Sequence, residues 1–279
     1  MQKYVFQSLF KHFTAGESIN SLKSKITELH RQNLYPIVDY IKESTNNNHA
    51  INNCILHYIK LSDISKIDYI ALKLSSLGFN EEKIDYLTDT LIRKDIKVMI
   101  DAEEVDKQEK INEITDGLIY KYNKKEVNVY KTYQMYRIDS LSKLHYDIEH
   151  VNHLGIKLVR GAYYNQDYKS GKLFTAKSQT DFAFSNAMKL IFRSEGTDSF
   201  ICTHNYYDIN QLIDHVNKSK NKNISHASLY GFINNDTQRI INSGITTYKY
   251  LPYGNFNDSI PYLTRRIYEN PKILLSMLK

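Results

Sequence analysis

The chain has 279 residues, 42% of them hydrophobic and 24% charged, and a formal net charge of +6. That balance suits one globular unit with a substantial core and excludes a disordered chain. No apolar run reaches the roughly 18 residues of a membrane span, and there is no secretory signal peptide. Two cysteines, Cys54 and Cys202, cannot frame a disulfide scaffold or a zinc knuckle. Lysines scattered along the whole length argue against nucleic acid as a partner.

Residues 1–16 carry two lysines, three phenylalanines and no acid, a composition like that of a mitochondrial presequence, although Phe13 onward reads as folded domain. Ile19, Leu22, Ile26 and Leu29 recur at helical spacing and predict a lead-in helix over 17–33. Eight β-rich runs follow, at 35–39, 69–75, 98–102, 127–134, 156–161, 200–203, 224–229 and 246–251. Helical patterns fill the intervals, among them 83–93, 111–122, 141–153, 175–192, 209–216 and 237–242, while the asparagine run 46–48 reads as a loop. Strands and helices alternating in this way predict an α/β fold, a (βα)8 barrel of TIM type.

In such barrels the active site lies at the carboxyl ends of the strands. Here those ends supply Asp39, Lys73, Asp101, Gln134, Lys157 with Arg160, Thr203 with His204, and Tyr250. Ile70, Leu72 and Leu74 alternate with Ala71, Lys73 and Ser75, so Lys73 either points into the barrel or is a surface lysine on a misread segment. Asp101 is either a helix cap or the partner of Lys73 across neighbouring strands. The Gln134 amide either satisfies backbone or meets the edge of a flavin or base. In KLVRGAYY two cations surround Gly161, whose missing side chain opens the backbone to a bulky ligand. Thr203 and His204 before a helix start suit a pyrophosphate better than a metal, since no second ligand follows at metal spacing. A Gly-x-Gly-x-x-Gly fingerprint and a Gly-x-Ser-x-Gly elbow are both missing, which excludes a Rossmann site and leaves a serine-hydrolase triad without support.

The stretch 250–270 is the most chemically loaded: a strand end, a turn at Pro252 and Gly254, then a helix opening near Asn257 or Asp258 and stopping before Pro271. Pro261 is expected in its first turn. Tyr262, Arg265, Arg266 and Glu269 share one helical face. That face is either solvated, with an Arg–Glu pair, or sets two guanidiniums and a phenol at a pocket mouth to grip a small anion.

The motifs FTAGE (13–17), DYIKES (39–44), ALKLSSLG (71–78), IDAEE (100–104), YKTYQMY (130–136), KLVRGAY (157–163), THN (203–205), LYGF (229–232), YLPYG (250–254) and RRIYEN (265–270) occur in one order. In that order the chain resembles the proline dehydrogenase family, flavoenzymes that oxidise L-proline. The resemblance implies one domain over 1–279: a distorted (βα)8 barrel with a short helical lead-in over 1–34 and the last helix over the carboxyl ends of the strands. It implies that Lys73, Arg265 and Arg266 hold the substrate carboxylate and that Tyr250, Tyr262 and Leu229 pack on its ring. Asp101, Lys157 and Tyr250 form the implied catalytic set, and Glu43 is the gate that pairs with Arg265. FAD is the implied cofactor, contacted by Ala102, Gln134, Lys157, Arg160, Gly161, Ala162, Thr203 and His204, with no metal.

The implied product is Δ1-pyrroline-5-carboxylate, the first step of proline degradation to glutamate, with electrons passed to a quinone through a peripheral membrane contact. The implied location is cytoplasmic, at the inner face of the membrane, or mitochondrial for a eukaryotic source. Family members that accept 4-hydroxyproline carry a small residue at the position of Tyr250, which implies a preference here for L-proline. Departures from the pattern are Lys157 for a common Arg, Lys42 for a common Gly, Phe232 for a usual Met, and a short amino terminus. The length implies that no aldehyde dehydrogenase or DNA-binding segment is attached. A barrel that binds proline or flavin as a sensor, without turnover, is the competing reading.

Overall fold

The structure is a computed structural model that describes residues 2–45, 47–219, 223–232 and 236–269. Helices α1 (Gln2–Phe13) and α2 (Ile19–Arg31) precede strand β1 (Tyr35–Tyr40). The chain continues through α3 (Asn48–Ser62), β2 (Tyr69–Leu72), α4 (Glu81–Ile92), β3 (Lys97–Ile100), α5 (Val105–Tyr122) and β4 (Val129–Gln134). Next come α6 (Ser140–His150), β5 (Gly155–Val159), the short α7 (Tyr164–Asp167), α8 (Lys177–Arg193), β6 (Asp198–Cys202) and α9 (Tyr206–Lys218). The last elements are β7 (Ile224–Leu229), α10 (Thr237–Asn242), β8 (Thr247–Tyr253) and α11 (Phe256–Glu269). The eight strands close into a parallel barrel in sequence order, with β8 pairing β1.

Period-2 alternation sorts the strand residues into two layers. Ile70, Leu72, Val98, Ile100, Ile156 and Leu158 belong to the large outer core shared with the helices. Ile37, Tyr69, Ala71, Met99, Tyr130, Phe200, Ala227 and Tyr248 fill the barrel interior. There Tyr69, Tyr130, Phe200 and Tyr248 meet edge to face with ring centroids 4.9–5.7 Å apart. This packed aromatic layer is a floor, and the polar residues one step further along the strands stand on it.

Differences from the sequence expectations have local causes. Helix α1 packs Leu9, Phe10 and Phe13 against Tyr262 and Leu263 of α11, with Phe10 edge-on to Phe256 at 5.4 Å. The asparagine run opens a helix: Asn47 caps α3 by accepting from the His49 amide at 2.8 Å, which is what short amide side chains do at helix starts. Asn46 of that run lies outside the described residues. Strand β2 ends at Leu72 because a 3-10 turn over Leu74–Leu77 takes over, leaving Lys73 as its cap residue. Strand β8 runs on through Pro252 to Tyr253, since past Tyr250 its neighbour is β1 alone and a proline costs no ladder bond on that free edge. Pro261 falls in the second turn of α11, not the first, because the helix opens at Phe256.

Lys249 faces the outer layer from β8, only 7% exposed. Its ammonium donates to Ser228 Oγ at 2.8 Å, and no carboxylate pairs with it among the described residues. Burial lowers its pKa from 10.5 to about 8. Between those values the unfolded chain holds the proton and the folded one does not, so this group makes stability rise with pH across that window. Lys249→Met removes the buried charge, so it raises stability near neutral pH by roughly 1 to 3 kcal/mol and flattens the rise from neutral to alkaline pH. Urea midpoints of both proteins at the two pH values check this; a variant less stable than the parent near neutral pH would show that the ammonium is compensated.

Candidate active site

The closed ring brings Asp39, Lys73, Asp101, Lys157 and Tyr250 together on the aromatic floor. Lys73, 4% exposed, donates to Asp39 Oδ1, lies 3.2 Å from the Tyr250 hydroxyl and 3.5 Å from Asp101 Oδ2. Lys157 donates to Asp101 Oδ1 at 2.5 Å, and the Tyr250 hydroxyl donates to Asp101 Oδ2 at 2.5 Å. The Lys157 ammonium also sits 4.7 Å from the centre of the Tyr250 ring. Lys73 therefore points inward, and its nearest carboxylate is Asp39 of β1 instead of Asp101. Burial works against its charge, but Asp39 and Asp101 outweigh it and hold the ammonium well above the ordinary lysine range. Burial likewise raises Asp101, yet Lys157 and Lys73 together bring its carboxyl below the usual range.

Helix α11 lies across this mouth. Arg265 makes a two-pronged pair with Glu43, from the loop after β1, at 2.5 and 3.4 Å. Its guanidinium also stacks 4.6 Å from the ring of Tyr163, which follows β5 on the far side of the barrel. One side chain thus spans the opening. Arg266 is buried with its guanidinium 4.9 Å from the Tyr262 ring centre, and Tyr262 itself is packed under α1. Lys42 beside the gate residue reaches Asp258 in the first turn of α11 at 2.8 Å. Leu229 is the register partner of Tyr250 on the neighbouring strand, so both side chains share the inner face. The Glu269 side chain, expected on the same helical face, and Pro271 lie outside the described part.

A second group occupies the ends of β3 to β6. Gln134 donates its amide to the Glu103 carbonyl at 3.0 Å, next to the buried Ala102. Arg160 is fixed by Asp181 at 2.9 Å, Asp208 at 2.8 Å and the Thr203 hydroxyl at 3.0 Å. Gly161 has φ +126°, and a Cβ there would lie 2.3 Å from the Tyr136 ring. The missing side chain at Gly161 admits the Tyr136 ring, and Ala162 beyond it is half-buried. His204 accepts the Leu229 amide on Nε2 at 3.3 Å, which leaves Nδ1–H as its donor. Burial, then Lys249, His226 and Arg266, drive its pKa down to about 3. The neutral imidazole, with Lys249 and Arg266 as its nearby cations, stands just before the α9 amino terminus, which Asn205 caps.

Sequence reasoning gave Asp39 a place among the strand ends but no role, and it passed over Tyr163 and Glu103. Tyr163 stood inside the KLVRGAY motif. Glu103 stood inside IDAEE and now binds Ser75 through its backbone amide and hydroxyl.

The sequence model of the family described as proline dehydrogenase matches residues 22–276. Among curated relatives, "Proline dehydrogenase 1, mitochondrial" of Caenorhabditis elegans is 24% identical over 96% of this chain and 51% of its own length. "Hydroxyproline dehydrogenase" of Xenopus laevis is 26% identical over 66% of this chain and 44% of its own. A solved structure of proline utilization A from Bdellovibrio bacteriovorus, inactivated by N-propargylglycine, superposes with a TM-score of 0.82 at 18% identity, over 94% of this chain and 33% of that one. That likeness is one of fold. The chain spans about half the length of the nematode relative and a third of the bacterial structure. With the family's model matched from residue 22 to residue 276, the chain belongs to the proline dehydrogenase family.

Proposed function

We propose that this protein oxidises L-proline to Δ1-pyrroline-5-carboxylate with FAD as its cofactor and a quinone as final acceptor. The observation that carries the reading is the pairing of a charge-balanced cluster, Asp39, Lys73, Asp101 and Lys157, with a helix that lays Arg265 and Arg266 over it. Arg265, now paired with Glu43 of the loop after β1, is a guanidinium at which one small carboxylate would take the place of another. Arg265, Arg266 and Lys73 would hold it, while Tyr250, Leu229 and Tyr262 supply the walls that meet an apolar ring. Such a clamp converts encounter into fixed geometry, which is how most of the advantage of orientation arises.

The side chains at the second group fit a flavin dinucleotide. His204, held neutral mainly by burial and then by Lys249 and Arg266, with Arg160 and the α9 amino terminus close by in the chain, suits a diphosphate. Lys157 and Gln134 are donors suited to the polar edge of the ring system, with Ala102 and Gly161 as backbone walls. When bound, the flavin supplies the hydride acceptor. Lys157 keeps Asp101 ionised there, and Asp101 in turn fixes the Tyr250 hydroxyl. Delivery of the electrons to a quinone brings the protein to a membrane surface; among the described residues no helix is long and apolar enough to cross one.

Purified protein should be yellow and should bleach on anaerobic addition of L-proline; a yellow protein that proline leaves oxidised points instead to a sensor. Arg265→Met and Arg266→Met each remove a charge-assisted contact worth about 1.5 to 3 kcal/mol, so each should weaken binding of an unreactive proline analogue by about one to two decades. Retained affinity in both would mean that the carboxylate lies elsewhere.

Tyr250 decides ring specificity. Its phenol is tied to Asp101 and cannot swing away, so a hydroxyl added to the proline ring meets an aromatic wall and loses its water. An unpartnered buried hydroxyl costs about 1 to 3 kcal/mol. L-Proline should therefore be preferred over trans-4-hydroxy-L-proline by about one to two decades in kcat/KM, and Tyr250→Ser should narrow the gap chiefly by losing proline efficiency. Equal efficiency of the parent protein on both substrates would remove Tyr250 from the ring pocket.

A further inference from the structure

The two carboxylates that flank Lys73 are not equivalent. Asp101 has both oxygens committed, Oδ1 to Lys157 and Oδ2 to the Tyr250 hydroxyl, with the Lys73 ammonium 3.5 Å from Oδ2. Asp39 accepts from Lys73 on Oδ1, while Oδ2, in a residue 1% exposed, has no hydrogen-bond partner among the described residues. The titratable groups around Asp39 are Lys73 at the end of β2, Asp101 after β3, Tyr250 of β8 and Tyr58 of α3. Burial raises the Asp39 carboxyl above its usual range; Lys73 opposes that rise and Asp101 reinforces it. One neighbour of Lys73 is thus a committed anion, and the other has spare capacity for a proton.

On the proposed reading, on which this inference rests, the substrate is a secondary amino acid that arrives from neutral water with its amine protonated. Hydride can leave the carbon beside that nitrogen only as the nitrogen lone pair moves into the new C=N bond, and a protonated amine has no lone pair to give. The proton must first pass to the protein. We infer that Asp39 is the proton acceptor of this site and acts through Lys73. The Nζ–H aimed at Asp39 breaks as an O–H bond forms on Oδ1, and the lone pair this frees on Lys73 Nζ takes the proton as an N–H bond of the substrate ammonium breaks. Lys73 ends as it began, an ammonium that still faces the substrate carboxylate. Asp39 becomes a neutral acid, and the substrate is left as an amine carboxylate. The nitrogen lone pair freed in this way is what the new C=N bond needs, and a bound flavin would be the acceptor of the hydride with both electrons of the C–H bond.

The alternatives on the page fit less well. Lys73 alone as the base would become neutral between two buried carboxylates, leaving like charges side by side. Protonating Asp101 would cost it the bonds from Lys157 and Tyr250 and leave the Lys157 ammonium uncompensated. Asp39 loses only the charged character of its bond to Lys73. It does not touch the substrate, so it is a positioning residue for the lysine as well as the end of the proton path.

The test is Asp39→Asn, which keeps an oxygen for Lys73 but cannot take a proton. General base catalysis contributes roughly 10² to 10⁴-fold, so kcat/KM for L-proline near neutral pH should fall by about that factor. The deficit should then shrink by about tenfold per pH unit toward alkaline pH as free amine becomes available. Binding of a proline analogue with oxygen in place of the ring nitrogen, which brings no proton, should be unchanged, and Asp39→Glu should recover most of the lost activity. A loss that is the same at every pH, together with weakened analogue binding, makes Asp39 a structural residue and overturns the inference. If the Asn variant does not fold, the parent protein still decides: kcat/KM that is level from neutral to alkaline pH supports an internal acceptor, and a tenfold rise per pH unit over that range excludes one. A parent protein whose flavin proline never reduces at any pH sinks the dehydrogenase reading as a whole, which none of the variant results can imitate.

Discussion

The Lys73 ammonium is buried at the bottom of the barrel mouth, and much else is arranged around that fact. An isolated buried charge costs several kcal/mol even after relaxation, so the site must supply partners. Asp39 and Asp101 do so. Two carboxylates around one ammonium would leave an excess of negative charge, and Lys157 from the opposite half of the ring restores the balance through Asp101. Tyr250 closes the group by bridging Lys73 and Asp101. Strands β1, β5 and β8 contribute Asp39, Lys157 and Tyr250, and the residues just past β2 and β3 contribute Lys73 and Asp101, all brought within bonding distance by the closed barrel. The aromatic floor beneath keeps water out from below, which strengthens every one of these contacts.

The fold was legible because its signals were repeated. Every strand run and its neighbouring helix gave the same instruction, so a wrong boundary at one place did not alter the architecture. What failed was local chemistry. The start of helix α3 was read as a loop because its asparagines look like one in composition, and the capping role of Asn47 depends on where the chain turns inward. The 3-10 turn after Leu72 was read as strand because Leu74 continues the period-2 alternation; hydrogen bonds of Ser76 and Gly78 back to Lys73 and Ser75 decide otherwise. Helix α1 was underrated because its apolar face has meaning only once α11 exists to receive it.

Legibility of the site followed a different rule. Residues at strand ends could be collected from the sequence alone, since the barrel sends them all to one face. Which of them pair could not. Lys73 and Asp101 are on adjacent strands and made the obvious couple, yet β1 pairs β2 on the other side and puts Asp39 nearer, and Lys157 crosses the ring to claim Asp101. Pairing across a barrel interior is set by side-chain length and tilt, which no spacing along the chain encodes. Gly161 is the opposite case: its backbone need was visible, but the space it leaves is taken by Tyr136 of the same chain.

The arginine clamp shows how the same electrostatic constraint extends to ligand entry. Arg265 is buried and already paired with Glu43, so the site without ligand holds no uncompensated guanidinium at that point. On the proposed reading a substrate carboxylate replaces the Glu43 carboxylate, and the exchange of one anion for another avoids the cost of exposing Arg265 to a dry pocket unpaired. Glu43 then turns toward water, where its charge is cheaply solvated. Lys42 beside it stays tied to Asp258 in a half-exposed pair of the kind worth about 0 to 1 kcal/mol. Asp258 and Arg265 stand about two turns apart on α11, so the loop after β1 is fastened at one point and exchangeable at the other. On the proposed reading, that arrangement lets the Glu43 side chain move without releasing the helix that carries Arg265 and Arg266.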